Sequence, residues 1–280
     1  MSNMVYHRHI PSTPLDQYVD FILYVEGNNK GAGLPKTAMS LVFNLNDNFK
    51  LFTDNSFTSF TDYKRYWIAG LQLKPTYVES YGISKMIVIQ FKTIGAFLFL
   101  QKPLHEFTGN YVKLDNVFSQ EAEYTWEQLQ EAETIKEKIL MTENFLYRKL
   151  LSKKFPNEKL LIAANYLLNH SENISVEAVC KKVGVSRKHL NNMFKEYTGI
   201  STKTMQSLHR FQNLLVKVSK NPNINLTSLA YEMDYSDISH FSNDFKNLTG
   251  IHPKAYLKLV KQTPSLQMVP HFIPATENNW

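Results

Sequence analysis

The sequence predicts an α+β protein: a β-rich, sandwich or barrel-like N-terminal domain followed by helices, then an all-α C-terminal domain with two helix-turn-helix motifs. Three observations lead there. Short β-branched and aromatic runs crowd the first 115 or so residues, a stretch without Gly or Pro and rich in Glu, Leu and Lys follows, and one pattern occurs twice beyond residue 155. A length of 280 residues suits two domains, and 43% hydrophobic with 20% charged residues describes a soluble globular chain. The expected division is 1–118 regulatory domain, 119–155 helical connector, 156–262 double helix-turn-helix and 263–280 an irregular tail without assigned role.

Taken in order, the runs at 18–25, 40–45 and 86–91 are short, apolar and bounded by Gly, Asn, Asp, Ser or Lys, so each reads as a strand. Several in succession suggest an antiparallel sandwich or barrel. Phe43, Phe52, Phe60, Tyr63, Tyr66, Trp67, Tyr77 and Phe91 are candidates to line a pocket for a small-molecule effector, although filling the β core is the commoner role for any one of them. Residues 121–151 place Leu129, Ile135, Ile139, Leu140, Leu146 and Leu150 at mostly helical intervals, which predicts one long helix or two shorter ones. This segment either packs the domains together or forms a homodimer seam; without a sustained heptad, both stay open. Pro156 interrupts the pattern, and a helix from about Asn157 sets Leu160, Leu161, Ala164, Leu167 and Leu168 along one face.

The repeat follows. Ile174-Ser-Val-Glu-Ala-Val-Cys-Lys-Lys-Val-Gly-Val-Ser186 aligns with Ile224-Asn-Leu-Thr-Ser-Leu-Ala-Tyr-Glu-Met-Asp-Tyr-Ser236, and the stretch ending Thr198-Gly-Ile200 aligns with the one ending Thr249-Gly-Ile251. Ser175 is placed to cap a helix over 176–183, and Gly184 supplies the left-handed turn before a second helix starting at Ser186. Cys180 and Ala230 fall at the small inner position where two steeply crossing helices meet, so Cys180 is expected to pack; Asp234 takes the turn position in the second copy. The second helices, about 186–197 and 237–248, turn Arg187, Lys188, Asn191, Asn192 and Lys195, and Ser239, Ser242, Asn243 and Lys246, away from the core. Asn pairs with adenine, Lys and Arg with guanine or phosphate, and Ser with either kind of edge.

Charge is distributed accordingly. The net charge is +6; residues 156–262 hold 14 Lys/Arg against 8 Asp/Glu, and the remainder balances. An excess confined to one part is the footprint of a domain that meets phosphate, so double-stranded DNA is the expected partner. No apolar run approaches the ~18 residues of a membrane span, and the N-terminus lacks a secretory pattern, so a cytoplasmic location is expected. The single Cys180 excludes a disulfide framework, and His7 and His9 have no companions at ligand spacing. There is no Gly-x-Ser-x-Gly, phosphate loop or Gly-x-Gly-x-x-Gly, so no catalytic residue, metal or cofactor is expected. An enzyme domain fused to a DNA reader and an architectural DNA-coating protein are the alternatives.

Residues of about 157–259 resemble the paired helix-turn-helix domain of the AraC/XylS family of bacterial transcription regulators. The resemblance rests on Cys180-Lys-Lys-Val-Gly-Val-Ser186, Leu190-Asn-Asn-Met-Phe-Lys195, Thr198-Gly-Ile, Tyr235-Ser-Asp-Ile-Ser-His-Phe-Ser-Asn-Asp-Phe-Lys246 and Thr249-Gly-Ile-His-Pro-Lys-Ala-Tyr256. It implies seven helices, a linking helix near 203–219 with Arg210 serving phosphate or structure, and contact with RNA polymerase; docking geometry leads to the expectation that the two heads enter successive major grooves on one face of the duplex. The sequence departs from the family at Asn192 and Asn243, where arginine is usual before Phe-Lys, which implies weaker phosphate attraction and less preference for guanine. Residues 5–150 resemble, more loosely, the sensor-like domains joined to such units in environmental bacteria, through Pro14-Leu-x-x-Tyr-Val19, Leu34-Pro35, Ser40-Leu-Val-Phe-Asn-Leu45, Gly70 and Leu114-Asp115.

Overall fold

The computed structural model describes residues 5–46, 48–113, 119–151, 158–169, 174–233, 235–263, 266 and 269–275. Asp234, Leu114 and Asp115, and the connector around residue 155, lie outside them. Among the described residues one antiparallel sheet has nine strands, eight from the N-terminal region and the last from the tail: β1 (Val5–His9), β2 (Val19–Gly33), β3 (Ser40–Asn44), β4 (Phe49–Phe52), β5 (Phe60–Tyr63), β6 (Tyr66–Ala69), β7 (Thr76–Phe91), β8 (Tyr111–Lys113) and β9 (Phe272–Pro274). The long β2 and β7 pair along most of their length and form the spine. On it the order runs β1-β2-β7-β3-β6-β8, with β4 pairing β5 and β7 and β9 pairing β2.

Strand alternation divides the side chains between two faces. Leu41, Phe43, Ile87, Ile89 and Phe91 enter the main core, while Val42, Trp67, Val78 and Met86 gather on the other face. Because both faces are covered, β3 is buried at all five positions. The main core is completed by α1 (Gly95–Leu100), α2 (Ser119–Glu131) and α3 (Ile135–Leu151). The helical stretch is therefore two helices. Thr134 ends the break between them as a reciprocal cap: its hydroxyl accepts from Glu137 N (3.2 Å) and its own N–H donates to the Glu137 carboxylate (2.9 Å). Lys138 donates to Leu129 O (2.7 Å) and to Ala132 O, occupying carbonyls at the end of α2.

Seven helices follow among the described residues: α4 (Glu158–Asn169), α5 (Val176–Val183), α6 (Arg187–Thr198), α7 (Thr202–Lys220), α8 (Leu226–Glu232), α9 (Ile238–Thr249) and α10 (Pro253–Gln262). The main core runs on into the first of them: Leu160, Val179, Cys180, Leu190, Phe194 and Leu208 belong to the same cluster as Phe43 and Phe145. The second half has its own core of Phe211, Leu215, Leu229, Phe241, Phe245 and Tyr256, joined by Leu34 from the end of β2 and by Leu266 and Ile273 from the tail. The tail, expected to be irregular, thus contains a strand whose three residues pair with Gly31–Gly33. No helix among the described residues is long and apolar enough to cross a membrane.

Candidate nucleic-acid interface

Each helix-turn-helix is fixed by local chemistry that its sequence dictates. In the first, Ser175 Oγ accepts from Ala178 N (3.1 Å), Gly184 closes α5 at φ 66°, and Ser186 Oγ accepts from His189 N (3.2 Å) to start α6. In the second, Asn225 accepts from the N–H groups of Thr227 and Ser228 and Asp237 from that of His240. The inner positions match: Val185 N reaches Cys180 O and Tyr235 N reaches Ala230 O, both at 3.1 Å. Burial raises the Cys180 thiol pKa, so this side chain is a protonated packing group. Both Thr-Gly-Ile stops work alike. Buried Thr198 and Thr249 donate to Phe194 O (2.6 Å) and Phe245 O (2.8 Å), and Gly199 and Gly250 leave the helix at φ 92° and 80°.

These supports hold the polar faces outward. On α6, Arg187, Lys188, Asn192 and Lys195 are exposed; Arg187 pairs with Glu177 at 2.8 Å, a contact between two solvated side chains. Asn191 is half-buried, and its Oδ1 accepts from Thr202 N (3.3 Å) at the start of α7. On α9, Ser239, Asn243 and Lys246 are exposed and Ser242 is half-buried. Asp244 beside them accepts from Tyr235 Oη (3.2 Å) and lies 3.7 Å from the His240 ring. Burial, then Asp244, raises the Tyr235 pKa to about 12, opposed by the charge of Arg210. Arg210 is exposed on α7 and lines a shallow hollow with Ser207 and Tyr235 between α7 and α9. The sequence reading passed over His189 and His240, both exposed on these faces; their place one turn into each helix was the available signal.

A cavity of about 220 Å³ lies against the second face of the sheet, lined by Val42, Trp67, Val78, Met86, Lys36 and His271 among others. Of the eight aromatics considered for a pocket, Trp67 lines it; Phe43, Tyr66 and Phe91 fill the main core. Lys36 donates to Gln90 Oε1 (2.6 Å), and burial lowers its pKa to about 8. Among the described residues His271 Nδ1 is buried without a hydrogen-bond partner, and burial followed by the charge of Lys36 lowers the pKa of that ring to about 3. Neither was singled out from sequence, since a lone Lys or His carries no pattern. His9, considered as a metal ligand, contacts Glu143 at 3.1 Å.

Comparison with known proteins adds three findings. A helix-turn-helix domain family matches residues 179–259, and a domain of unknown function, DUF6597, matches residues 7–113. The raffinose operon transcriptional regulatory protein RafR of Pediococcus pentosaceus is 27% identical over 104 residues, 37% of this chain and 37% of that protein. ToxT of Vibrio cholerae superposes with a TM-score of 0.45 at 11% identity, over 92% of this chain and 97% of that one; an unsaturated-fatty-acid-bound form of ToxT gives 0.42 at 13%, over 92% and 94%.

Proposed function

We propose that this protein is a sequence-specific DNA-binding transcription regulator of the AraC/XylS type whose N-terminal domain receives the signal; the match of residues 179–259 to a helix-turn-helix domain family supports the reading. The observation that carries the reading is the duplication: two helix-turn-helix units of the same construction, each with a capped second helix and a polar outward face, joined by the 19-residue α7. At 1.5 Å per residue α7 spans about 28 Å. That suits reading helices one helical turn apart, about 34 Å, in successive major grooves of one duplex face.

Within this reading Lys188, Asn192 and Lys195 of α6, with Arg187 at its start, meet one half-site. Ser239, Ser242, Asn243 and Lys246 of α9 meet the other, and Arg210 serves phosphate between them. Asn191 fixes the angle between α6 and α7 through Thr202, so its contribution is chiefly positional. A small, mainly apolar effector occupies the N-terminal cavity. Contact with RNA polymerase comes with the resemblance alone, a homodimer remains a further option, and the setting is the cytoplasm. The reading assigns no catalysis.

The test is selection of random duplexes by the purified chain at about 150 mM salt, a condition to be fixed because affinity falls steeply with salt. Two unlike half-sites about 10 base pairs apart are expected. Binding without enrichment of any motif would replace this reading with that of an architectural protein.

A further inference from the structure

The second helix-turn-helix is tied to the sheet by the chain that leaves it. From within α10, Tyr256 Oη donates to Pro270 O at 2.9 Å. Leu34 N then donates to His271 O and Ala275 N to Lys30 O, both at 2.8 Å, flanking the register that sets Phe272 opposite Gly33, Ile273 opposite Ala32 and Pro274 opposite Gly31. The approach is close enough to dictate a residue type. A Cβ on Gly31 would lie 2.2 Å from Ile273 O, a backbone atom that cannot swing aside.

Neighbouring residues of this short segment serve different compartments. Val269, His271 and Phe272 form part of the cavity wall, whereas Ile273 is fully buried in the core of the second unit with Leu34 and Tyr256. The chain after β2 has the same double membership. Leu34 belongs to that core and also lines the cavity with Lys36 and Ala38, and Thr37 between them donates to Gln212 Oε1 of α7 at 2.6 Å. The cavity wall, the second core and the contact with α7 therefore share one short stretch of chain. Among the described residues the first unit is held instead by a core continuous with the sheet and α1–α3.

We propose that residues 269–275 are a strap that couples filling of the N-terminal cavity to the placement of the second helix-turn-helix. The proposal rests on the reading of the chain as a ligand-responsive DNA binder, and the experiment separates the two. Gly31→Val, in the full chain, drives the strap off β2 without altering the tail; Ile273→Ala loosens it from the other side. Val42→Phe, which enlarges a side chain lining the cavity, is the occupant used as a probe. Amide hydrogen exchange is followed in β9, in α8–α10 and in α5–α6.

Gly31→Val should abolish protection in β9 and raise exchange in α8–α10 while α5–α6 is unchanged. Val42→Phe should alter exchange in α8–α10 in the parent chain and leave it unaltered in the Gly31→Val background, a non-additivity that reports coupling. On a duplex with both selected half-sites, Gly31→Val should bind about tenfold more weakly, part of the avidity that a well-placed second module supplies, with unchanged affinity for the first half-site alone. Ile273→Ala should reproduce these effects and decides the matter if Gly31→Val does not fold. Equal responses to Val42→Phe in both backgrounds, or protection of β9 that survives Gly31→Val, would overturn the strap. If the parent chain enriches no DNA motif, the proposed function fails while the exchange cycle still judges the strap.

Discussion

The first helix-turn-helix packs into the core that also fills the sheet and α1–α3, whereas the second closes a core of its own that reaches the sheet through Leu34 and the tail. At the first, Thr108 Oγ1 donates to Gly199 O at 2.9 Å and the Phe97 and Tyr197 rings lie 4.2 Å apart. The charges diverge too. The outward side of α6 carries Arg187, Lys188 and Lys195, while α9 offers Lys246 among Asp237, Asp244 and uncharged side chains. A duplicated unit has become one cationic head sharing the sheet's core and one nearly neutral head with a core of its own. Under the proposed function, phosphate attraction would fall mainly to the first head and adjustable geometry to the second.

The largest effects should come from breaking each core. Phe194 and Phe241 are both almost fully buried, and truncating either to Ala should cost about 3–5 kcal/mol. The consequences differ. Phe194→Ala lowers the main melting transition of the whole chain, because its cluster includes Phe43 and Phe145. Phe241→Ala splits off an earlier, smaller transition confined to α8–α10, visible by calorimetry and amide exchange. One common transition in both variants would show that the two cores unfold together.

Next in size are the contacts with DNA and with the sheet. Lys188→Ala should cost about 1–3 kcal/mol of specific binding and relax preference at one base pair of the first half-site. Lys246→Ala should weaken binding by less and leave that position untouched; competition on selected duplexes measures both. Gly199→Ala should destabilise more than Gly250→Ala. Both residues hold positive φ, costing about 1 kcal/mol or more with a side chain. At Gly199 the added Cβ also meets Thr108 Oγ1 at 2.5 Å and Leu104 O at 3.1 Å. Chemical denaturation of the two variants ranks them, and equal losses would mean that α6 is not pressed against the 3₁₀ turn at Leu104–Glu106.

The same contrast explains what was legible in the sequence. Caps, the Gly184 turn, the Cys180 and Ala230 positions and the Thr-Gly-Ile stops are local, each settled by residues a few places apart, and they could be read directly. The course of β2 beyond Val25 could not. Gly27, Asn28, Asn29 and Gly31 are poor strand residues, held there by β7: Asn29 N donates to Ser80 Oγ at 2.9 Å and its amide to Ser84 Oγ at 2.7 Å, with a register shift between Asn28 and Lys30. Three-residue β9 has too little alternation to announce itself, and its partner lies some 240 residues earlier in the chain. Nor does an apolar stripe on α4 or α6 reveal whether it faces the neighbouring helix or the sheet domain. The exposed positions of Lys188, Asn192 and Asn243 followed from helical periodicity, while the half-buried Asn191 depended on where α7 begins.

The smallest effect expected is at the caps, and it tests how far the second head is independent. Asn225 caps the seven-residue α8 with two bonds, at 2.8 and 3.1 Å, and Ser175 caps the eight-residue α5 with one at 3.1 Å. Loss of an N-cap costs about 0.5–2 kcal/mol. Asn225→Ala belongs at the upper end, since two amides lose their acceptor and so short a helix has little else to hold its first turn. The loss should remain local, raising exchange in α8 and the start of α9 but not in α4–α6. Ser175→Ala belongs at the lower end, because α5 is held by Val179 and Cys180 in the shared core, and what it does cost should appear in the main transition. If Asn225→Ala raises exchange in α5 and α6 as strongly as in α8, the second unit is not independent, and α7 transmits its stability to the first as one rigid body.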